Sequence, residues 1–200
     1  MTAPAVGVLA LQGDVVEHVR ALERVGAHVT AVRTPEDLAR VDALVVPGGE
    51  STTVMRLLDR FGLTEPIKRR VAGGMPFWGT CMGMIVAAHD VAGIEQPTLD
   101  LLDVTVRRNA FGRQVDSAEI PLAIPALGAA PFPAIFIRAP WIERTGPEVE
   151  TLAERGGYGV MVRQGSVLGT SFHPELTGDD RVHAYFLRMM ADVRREAVVP

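Results

Sequence analysis

One cysteine, one histidine and one glutamate have the types and surroundings of a nucleophile, a base and its orienting partner. Cys81 is the only cysteine and lies between Gly79 and Gly83, in the G-x-nucleophile-x-G spacing of a sharp turn between a strand and a helix. Such a turn places the thiol at a helix N-terminus, where the helix dipole favours the thiolate. Most free cysteines are inert buried residues, so the glycine spacing is what favours a nucleophile here.

The segment His173-Pro174-Glu175 follows the apolar run 166–172 and supplies a candidate base. Side chains two positions apart in an extended segment point to the same side, and a proline favours extended backbone in the residue before it. Glu175 can therefore hold one imidazole nitrogen of His173 while the other nitrogen faces Cys81. This is the nucleophile–base–orienter arrangement of covalent catalysis.

The remaining histidines neither follow an apolar strand directly nor have a carboxylate two residues later. We expect them to be surface or satisfied core residues: His18, His28, His89 and His183. His183 falls on the predicted exposed face of the C-terminal helix. No spacing of histidine, cysteine and carboxylate residues suggests a zinc site, so the sequence predicts neither a metal nor a cofactor.

Two segments offer backbone N–H groups for a developing oxyanion. The stretch PGGES ends in Gly49-Glu50-Ser51 at the start of a predicted helix, and the turn at Cys81 offers the N–H of Met82. The alternative interpretation of the glycine stretch is a tight turn followed by a helix N-cap at Ser51 or Thr52. It is not a Walker phosphate loop, because no lysine follows the second glycine at the required spacing.

Composition and charge restrict the class of protein. The chain has 200 residues, is 48% hydrophobic and carries a formal net charge of −4 without a basic stripe, so the sequence predicts no nucleic-acid partner. A single cysteine cannot form an intrachain disulfide, and we expect a reducing, cytoplasmic location. The uncharged stretch 120–137 contains four prolines. It therefore predicts a loop leading into a short strand, with no membrane partner.

Five short apolar runs lack polar alternation, which is typical of strands buried on both faces of a parallel sheet: residues 6–11, 43–49, 75–80, 134–140 and 166–172. Helical patterns occupy residues 14–25, 51–61, 82–91 and 180–197. This alternation predicts an α/β three-layer fold, with a mostly parallel central sheet, helices on both faces and antiparallel strands added within 101–164. No linker divides the chain, so we expect a single domain over residues 1–200.

Ligands bind at the carboxyl ends of the strands in such a sheet. The segments PGGEST, GTCMG, RAP and HPEL each follow a predicted strand. The polar and glycine-rich residues therefore collect at the edge where an active site is expected.

With these residues in place, the chain resembles class I (triad-type) glutamine amidotransferases, and within them the glutaminase subunits of pyridoxal 5′-phosphate synthase. The resemblance rests on GVLALQGDVVEH (7–18), PGGEST (47–52), GTCMGMI (79–85), RRNAFGRQVDS (107–117), FIRAP (136–140) and SFHPELT (171–177). Many class I glutaminases share the cysteine turn and the His-x-Glu segment. The segments 107–117 and 136–140 are more specific to the vitamin B6 family.

The resemblance implies that Cys81 is the nucleophile, His173 the general acid/base and Glu175 its orienting partner. It implies an oxyanion site at the amides of Gly49 and Met82, and a glutamine site formed by Gly49, Glu50, Ser51, Arg108, Ile137 and Arg138. For Arg108 and Arg138 the alternative role is an exposed or structural ion pair.

The implied reaction converts L-glutamine to L-glutamate and ammonia through a cysteine thioester. The ammonia passes to a separate synthase subunit in a hetero-oligomeric complex, and the activity is weak until that partner binds. Residues 11–18 are implied at the contact, with Gln12 helping to order the oxyanion site.

Three positions depart from the family pattern. Met82 and Met84 replace the usual Ala and Leu, and Ala118 replaces an aromatic residue. Two alternatives stay open: a class I glutaminase serving another synthase, and a non-enzymatic redox or regulatory protein. The second alternative would not require His173-Pro174-Glu175.

Overall fold

The computed structural model describes residues 3–108 and 117–196. Residues 109–116, which form most of the family-specific segment after Arg108, lie outside the described residues, as does residue 197 at the end of the predicted C-terminal helix. The strands are β1 Ala5–Leu9, β2 His28–Val32, β3 Ala43–Val46, β4 Phe77–Thr80, β5 Ala88–Val91, β6 Leu102–Arg107, β7 Ser117–Leu122, β8 Phe132–Ile137, β9 Trp141–Thr145, β10 Glu150–Arg155, β11 Tyr158–Gln164 and β12 Val167–Thr170. The α-helices are α1 Val15–Arg24, α2 Pro35–Ala39, α3 Ser51–Arg60, α4 Thr64–Ala72, α5 Met82–Ala87 and α6 Arg181–Glu196.

The central sheet has the strand order β2-β1-β3-β4-β12-β11-β9-β6-β5, with β10 paired to β11. The strands from β2 to β12 along this order are all parallel. Beyond β12 the pairs are antiparallel as far as β6, which pairs in parallel with β5. The predicted parallel core with added antiparallel strands is confirmed.

Helices cover both faces of this sheet, which explains why β3, β4 and β12 are buried along their whole length. One core contains Val54 and Leu58 of α3 together with Ile67 of α4. The other contains Leu22 of α1 and Phe186 of α6. The three-layer prediction is therefore correct.

The predicted helix over 82–91 is too long. Helix α5 ends at Ala87, and the next four residues form β5, which pairs with β6. An apolar run of this length does not distinguish a buried helix from a buried strand by periodicity.

The run 134–140 does not join the parallel sheet, and 120–137 is more than a loop. Strands β7 and β8 form a separate antiparallel pair, in which Pro121 lies opposite Pro133. A two-stranded ladder tolerates prolines because its outer N–H groups need no strand partner. Burial alternates along β8, where Phe132, Ala134 and Phe136 face the core.

Within residues 3–108 and 117–196, no helix has the length and apolar character needed to cross a membrane.

Candidate active site

Cys81 lies in a strained turn between β4 and α5. Its backbone angles are φ 49° and ψ −105°, a region that residues with a side chain rarely adopt. The Cys81 N–H donates a 2.7 Å hydrogen bond to the carbonyl of Thr170 at the end of the neighbouring strand β12. The surrounding sheet therefore imposes a conformation of the kind that is concentrated at functional sites.

The two glycines that flank Cys81 are needed for close packing. A Cβ on Gly79 would lie 2.3 Å from the carbonyl carbon and oxygen of Gly83. A Cβ on Gly83 would lie 2.0 Å from the carbonyl oxygen of Val46 in β3. Helix α5 thus starts directly against the sheet only because neither position carries a side chain.

His173 and Glu175 form a buried hydrogen-bonded pair. Nδ1 of His173 lies 2.7 Å from Oε1 of Glu175, and each residue is 5% exposed. The backbone between them differs from the extended segment expected from the sequence, because Pro174–Leu176 forms a 3₁₀ turn. The His173 N–H donates a 2.8 Å hydrogen bond to the Ile135 carbonyl in β8, which ties the turn to the hairpin.

The electrostatics of this pair favour an imidazolium at His173. Burial alone lowers the pKa of His173, but hydrogen bonds to Asp14, Cys81 and Glu175 outweigh it and raise the pKa to about 12. Burial raises the pKa of the Glu175 carboxyl, and its hydrogen bond to His173 opposes that effect. A neighbouring imidazolium is a general means of stabilising a thiolate nucleophile.

Cys81 and His173 line the same cavity, which has a volume of about 420 Å³. That size suits a small metabolite. Every predicted site residue except Glu175 lines it: Gly49, Glu50, Ser51, Cys81, Met82, Arg108, Ile137, Arg138 and His173. Glu175 lies behind His173 rather than on the cavity wall.

A hydrogen-bonded cluster joins three residues that line the cavity, Glu50, Ser51 and Arg108, to Gln96, which does not line it. Arg108 donates to Oε1 of Glu50 at 2.9 Å and to Oε1 of Gln96 at 3.2 Å. The amide nitrogen of Gln96 donates to Oγ of Ser51 at 3.3 Å. The cluster can present both a cation and a carboxylate to a zwitterionic ligand.

Glu50, rather than Ser51 or Thr52, is the N-cap of α3. Its carboxylate accepts a hydrogen bond of 2.8 Å from the Thr53 N–H. Partial burial acts to raise the pKa of Glu50, but hydrogen bonds from Thr52, Thr53 and Arg108 outweigh it and lower the pKa to about 2. Glu50 is therefore a carboxylate across the physiological pH range.

Comparison with known proteins decides the family. The model of the SNO glutamine amidotransferase family matches residues 8–192. The chain belongs to the SNO glutamine amidotransferase family. A pyridoxal 5′-phosphate synthase subunit PdxT from Acidothermus cellulolyticus is 56% identical over 195 residues, which cover 94% of each chain. PdxT from Herpetosiphon aurantiacus is 57% identical, covering 91% of this chain and 98% of its own.

Solved structures agree with this membership of the SNO family. A glutamine amidotransferase crystal structure superposes with a TM-score of 0.88 at 49% identity, covering 93% of this chain and 98% of that one. PurLQS from Thermotoga maritima superposes with a TM-score of 0.67 at 16% identity, covering 96% of this chain and 100% of that one. The second likeness concerns the fold alone.

The three departures from the family pattern lie in different surroundings. Met82 lines the cavity, and its Cε would be 3.5 Å from a Cβ on Gly49. Met84 is fully buried and packs beneath the sheet, where its Cγ would lie 3.0 Å from a Cβ on Gly169. Ala118 pairs with Phe136 in the β7–β8 hairpin and does not line the cavity.

Three further polar side chains contact the site. Gln12, which the resemblance implies near the oxyanion site, accepts a 3.2 Å hydrogen bond from the Glu50 N–H. Asp14 places Oδ2 3.5 Å from Nδ1 of His173. In the sequence, Asp14 is indicated only by its place in segment 7–18, which carries part of the family resemblance. Gln96 lies in a segment with neither a motif nor a hydrophobic period.

Among the described residues, ligand atoms of Asp14, His173 and Glu175 approach one another within 4.8 Å, the spacing of a possible metal site. The sequence predicts the His173–Glu175 part of this grouping but not the contribution of Asp14. Within this grouping, Nδ1 of His173 is already hydrogen-bonded to Oε1 of Glu175 at 2.7 Å.

His183 is not on an exposed helix face. It is fully buried, as is His18, and the two imidazoles contact each other through His18 Nδ1 and His183 Nε2 at 3.2 Å. The expectation for His183 fails because its face of α6 packs on Trp78, with ring centroids 5.0 Å apart. A polar ring such as imidazole can be buried in an apolar core when a neighbouring polar group supplies its hydrogen bond.

Proposed function

We propose that this chain is the glutaminase subunit of a pyridoxal 5′-phosphate synthase. It hydrolyses L-glutamine to L-glutamate and ammonia and delivers the ammonia to the synthase subunit for vitamin B6 biosynthesis. The observation that carries the proposal is the shared cavity of Cys81 and His173, with His173 held by Glu175 at 2.7 Å. Relatives named PdxT at 56% and 57% identity support this synthase rather than another.

The first half of the reaction forms a thioester. The Cys81 thiolate attacks the side-chain carboxamide carbon of glutamine, and the carbonyl oxygen becomes an oxyanion held by the N–H groups of Gly49 and Met82. His173 donates its proton to the amide nitrogen as the carbon–nitrogen bond breaks. Ammonia leaves, and a γ-glutamyl thioester remains on Cys81.

The second half restores the enzyme. Neutral His173 takes a proton from water, which attacks the thioester carbon. The carbon–sulfur bond breaks, glutamate is released, and the Cys81 thiolate faces a protonated His173 again. Glu175 keeps Nδ1 of His173 bonded throughout, so that Nε2 carries the proton transfer. The proposed steps use the thiol of Cys81, the imidazole of His173 held by the Glu175 carboxylate, and the backbone N–H groups of Gly49 and Met82.

Recognition of the free amino acid uses the cluster beside the nucleophile. Glutamine carries an α-carboxylate and an α-ammonium group, and the cavity offers the cations Arg108 and Arg138 with the carboxylate of Glu50. Ser51 and the backbone of Ile137 add further polar contacts. Arg138 has φ 43°, a strained conformation at the end of β8 that supports a role in the site.

The proposed enzyme works as one subunit of a larger complex. Residues 1–200 act as a single glutaminase domain within a hetero-oligomeric complex, in the cytoplasm. The segment containing Gln12 contributes to the synthase contact, and Gln12 supports the oxyanion site through its hydrogen bond to the Glu50 N–H.

The deciding experiment measures glutamate formed from L-glutamine, with and without the cognate synthase subunit. We expect little turnover alone and strong activation with that subunit, and no turnover by Cys81→Ala in either condition. The synthase subunit that makes imidazole glycerol phosphate is the matched control partner. Activation by the control partner alone would favour the alternative synthase, and peroxide reactivity without any glutamine turnover would favour a redox regulator.

A further inference from the structure

A pair of imidazoles, His18 and His183, lies on the side of the Glu175 carboxylate away from His173. Oε1 of Glu175 bonds His173, and Oε2 of Glu175 lies 3.3 Å from Nε2 of His18. The same Nε2 is 3.1 Å from Oγ1 of Thr80, and the other ring nitrogen of His18 is 3.2 Å from Nε2 of His183. His18, Thr80 and His183 are fully buried. A continuous polar line therefore runs from His183 to the active-site imidazole.

This line is assembled from distant parts of the chain. His18 comes from α1, Thr80 ends β4 one residue before the nucleophile, and His183 comes from α6. The ring of Trp78 packs edge-on against both imidazoles, with centroids 5.5 Å from His18 and 5.0 Å from His183. Packed apolar walls restrict the rotation of both rings, so the positions of their nitrogens are well defined.

The protonation states give the line a direction. Burial lowers the pKa of His18 well below its ordinary value, with His183 and His173 adding to the effect. Burial likewise lowers the pKa of His183 to about 4. Each ring is therefore neutral at pH 7 and carries one N–H, which is donated to one side only.

The acceptor at the end of the line fixes the tautomers. An ionised Glu175 can only accept, so the N–H of His18 lies on Nε2, facing Oε2 of Glu175 and Oγ1 of Thr80. Nδ1 of His18 then accepts from Nε2–H of His183. In this assignment Nδ1 of His183 carries no proton and is the last acceptor in the line. It is buried and has no hydrogen-bond partner among the described residues, which agrees with that position.

The N–H group at Nε2 of His18 lies near two acceptors, Oγ1 of Thr80 and Oε2 of Glu175. The contact to Thr80 has hydrogen-bond geometry, whereas Oε2 of Glu175 is at ion-pair distance and has no hydrogen-bond partner of that geometry among the described residues. A buried carboxylate oxygen without a donor is costly. The N–H dipole of His18, 3.3 Å from Oε2 of Glu175, reduces that cost.

We propose that His18 is a positioning residue for the glutaminase reaction, which holds the second oxygen of Glu175, keeps this carboxylate ionised and thereby fixes the orientation of His173. His183 supports it by fixing the His18 tautomer. This inference rests on the proposed glutaminase function. It assigns a role to two buried histidines that the thioester mechanism does not itself use.

A matched pair of variants tests the role of the Nε2–H group. The amide nitrogen of glutamine can reach the position of Nε2, whereas the shorter asparagine reaches only the position of Nδ1. In the complex with the synthase subunit, we expect His18→Gln to keep kcat within about threefold and His18→Asn to lose about tenfold, as for the loss of one hydrogen bond to a charged group, with KM unchanged in both. Equal kcat values for the two variants, or the reverse order, would overturn the proposal.

A pH profile and a double-mutant cycle separate positioning from a purely structural role. Loss of the donor raises the pKa of Glu175, so the acidic limb of kcat in His18→Asn should move to higher pH. In a Glu175→Gln background, His18→Asn should have little further effect on kcat, because its partner is already neutral. An undiminished loss in that background would show that His18 does not act through Glu175.

The wild-type complex provides a measurement that needs no substitution at His18. Nitrogen-15 shifts of the imidazoles should show His18 neutral at pH 7 with its proton on Nε2, and a proton on Nδ1 would contradict the proposal.

His28→Leu, on the exposed edge strand β2, is the control and should match wild type. If wild type and this control fail to hydrolyse glutamine, the proposed function fails. If they are active and His18→Asn has the same kcat as they have, only the positioning role of His18 fails.

Discussion

Arg108 donates a hydrogen bond of 2.9 Å from Nη2 to Oε1 of Glu50, and both residues line the cavity that contains Cys81. This pair joins the end of β6 to the start of α3. It holds a cation and a carboxylate together on the wall of the cavity that Cys81 lines. A free amino acid substrate can exchange its own charged groups with the two ends of such a pair.

Loss of the Arg108 cation should therefore impair glutamine binding more than chemistry. We expect Arg108→Met to raise KM for glutamine about tenfold while kcat stays within about threefold, because the interaction is made in both ground and transition states. Steady-state kinetics in the presence of the synthase subunit measures both constants. The neighbouring Arg107, whose side chain pairs with Glu143 on the exposed surface, gives the control Arg107→Met. An unchanged KM for Arg108→Met would leave Arg108 as a structural ion pair.

Gly48 allows the close approach of the imidazole to the loop that follows β3. A Cβ at this position would lie 2.4 Å from Cε1 of His173. We expect Gly48→Ala to displace the ring and to reduce kcat by about a hundredfold, since small misplacements of a catalytic group have large effects. Gly178→Ala is the control, because a Cβ there meets nothing within 4 Å. Wild-type turnover by Gly48→Ala would show that the loop can move aside without consequence.

That Cys81 and His173 line one cavity could be anticipated from the sequence because of the sheet. Cys81 follows β4 and His173 lies three residues beyond β12, and these strands pair in parallel with Thr80 opposite Thr170. The ends of two neighbouring parallel strands lie at one edge, so two apolar runs followed by polar residues were enough to place both side chains there.

Other features depend on contacts that leave no local pattern. Gln96 lies between β5 and β6 and acquires its place only through Ser51 and Arg108. The prediction that His183 lies on an exposed face of the C-terminal helix is wrong, because the side chain is fully buried. Its burial depends on His18, 165 positions away in the chain, so helical periodicity could not reveal it.

The buried histidines should make the folded protein sensitive to mild acid. Burial lowers the pKa of His183 to about 4, with Asp180 acting to raise it and Arg24 to lower it. Between that value and the ordinary pKa of 6.5, the unfolded chain binds a proton that the folded chain does not. Stability contributed by the neutral ring is therefore present above pH 6.5 and falls as the pH is lowered towards 4.

This linkage can be measured by urea unfolding at pH 7.5 and pH 5. The wild-type free energy of unfolding should fall between these values by an amount on the order of 2 kcal/mol more than that of His183→Leu, which has no ring to protonate. His28→Leu, at an exposed site, should behave as wild type. An equal fall in His183→Leu and wild type would mean that other groups dominate the acid response.

The strained backbone at Cys81 predicts that glycine is more stabilising than alanine at this position, which is the reverse of the usual order. At φ 49° and ψ −105° a side chain is disfavoured, whereas glycine adopts positive φ readily. Both Cys81→Gly and Cys81→Ala remove the thiol that we propose as the nucleophile, and neither should form glutamate. We expect the glycine variant to unfold with a free energy about 1 kcal/mol higher than the alanine variant, because relief of strain exceeds the entropic cost of glycine.

An alanine-to-glycine change at an ordinary helical position gives the reference for this comparison. Replacing Ala191, an exposed residue inside α6, by glycine should lower the free energy of unfolding by about 0.5 kcal/mol, which is the usual direction. Urea unfolding of Cys81→Gly, Cys81→Ala and Ala191→Gly in one buffer supplies all the values. Greater stability of Cys81→Ala than of Cys81→Gly would show that the turn relaxes once the sulfur is gone, and that the thiol rather than the sheet imposes the strain.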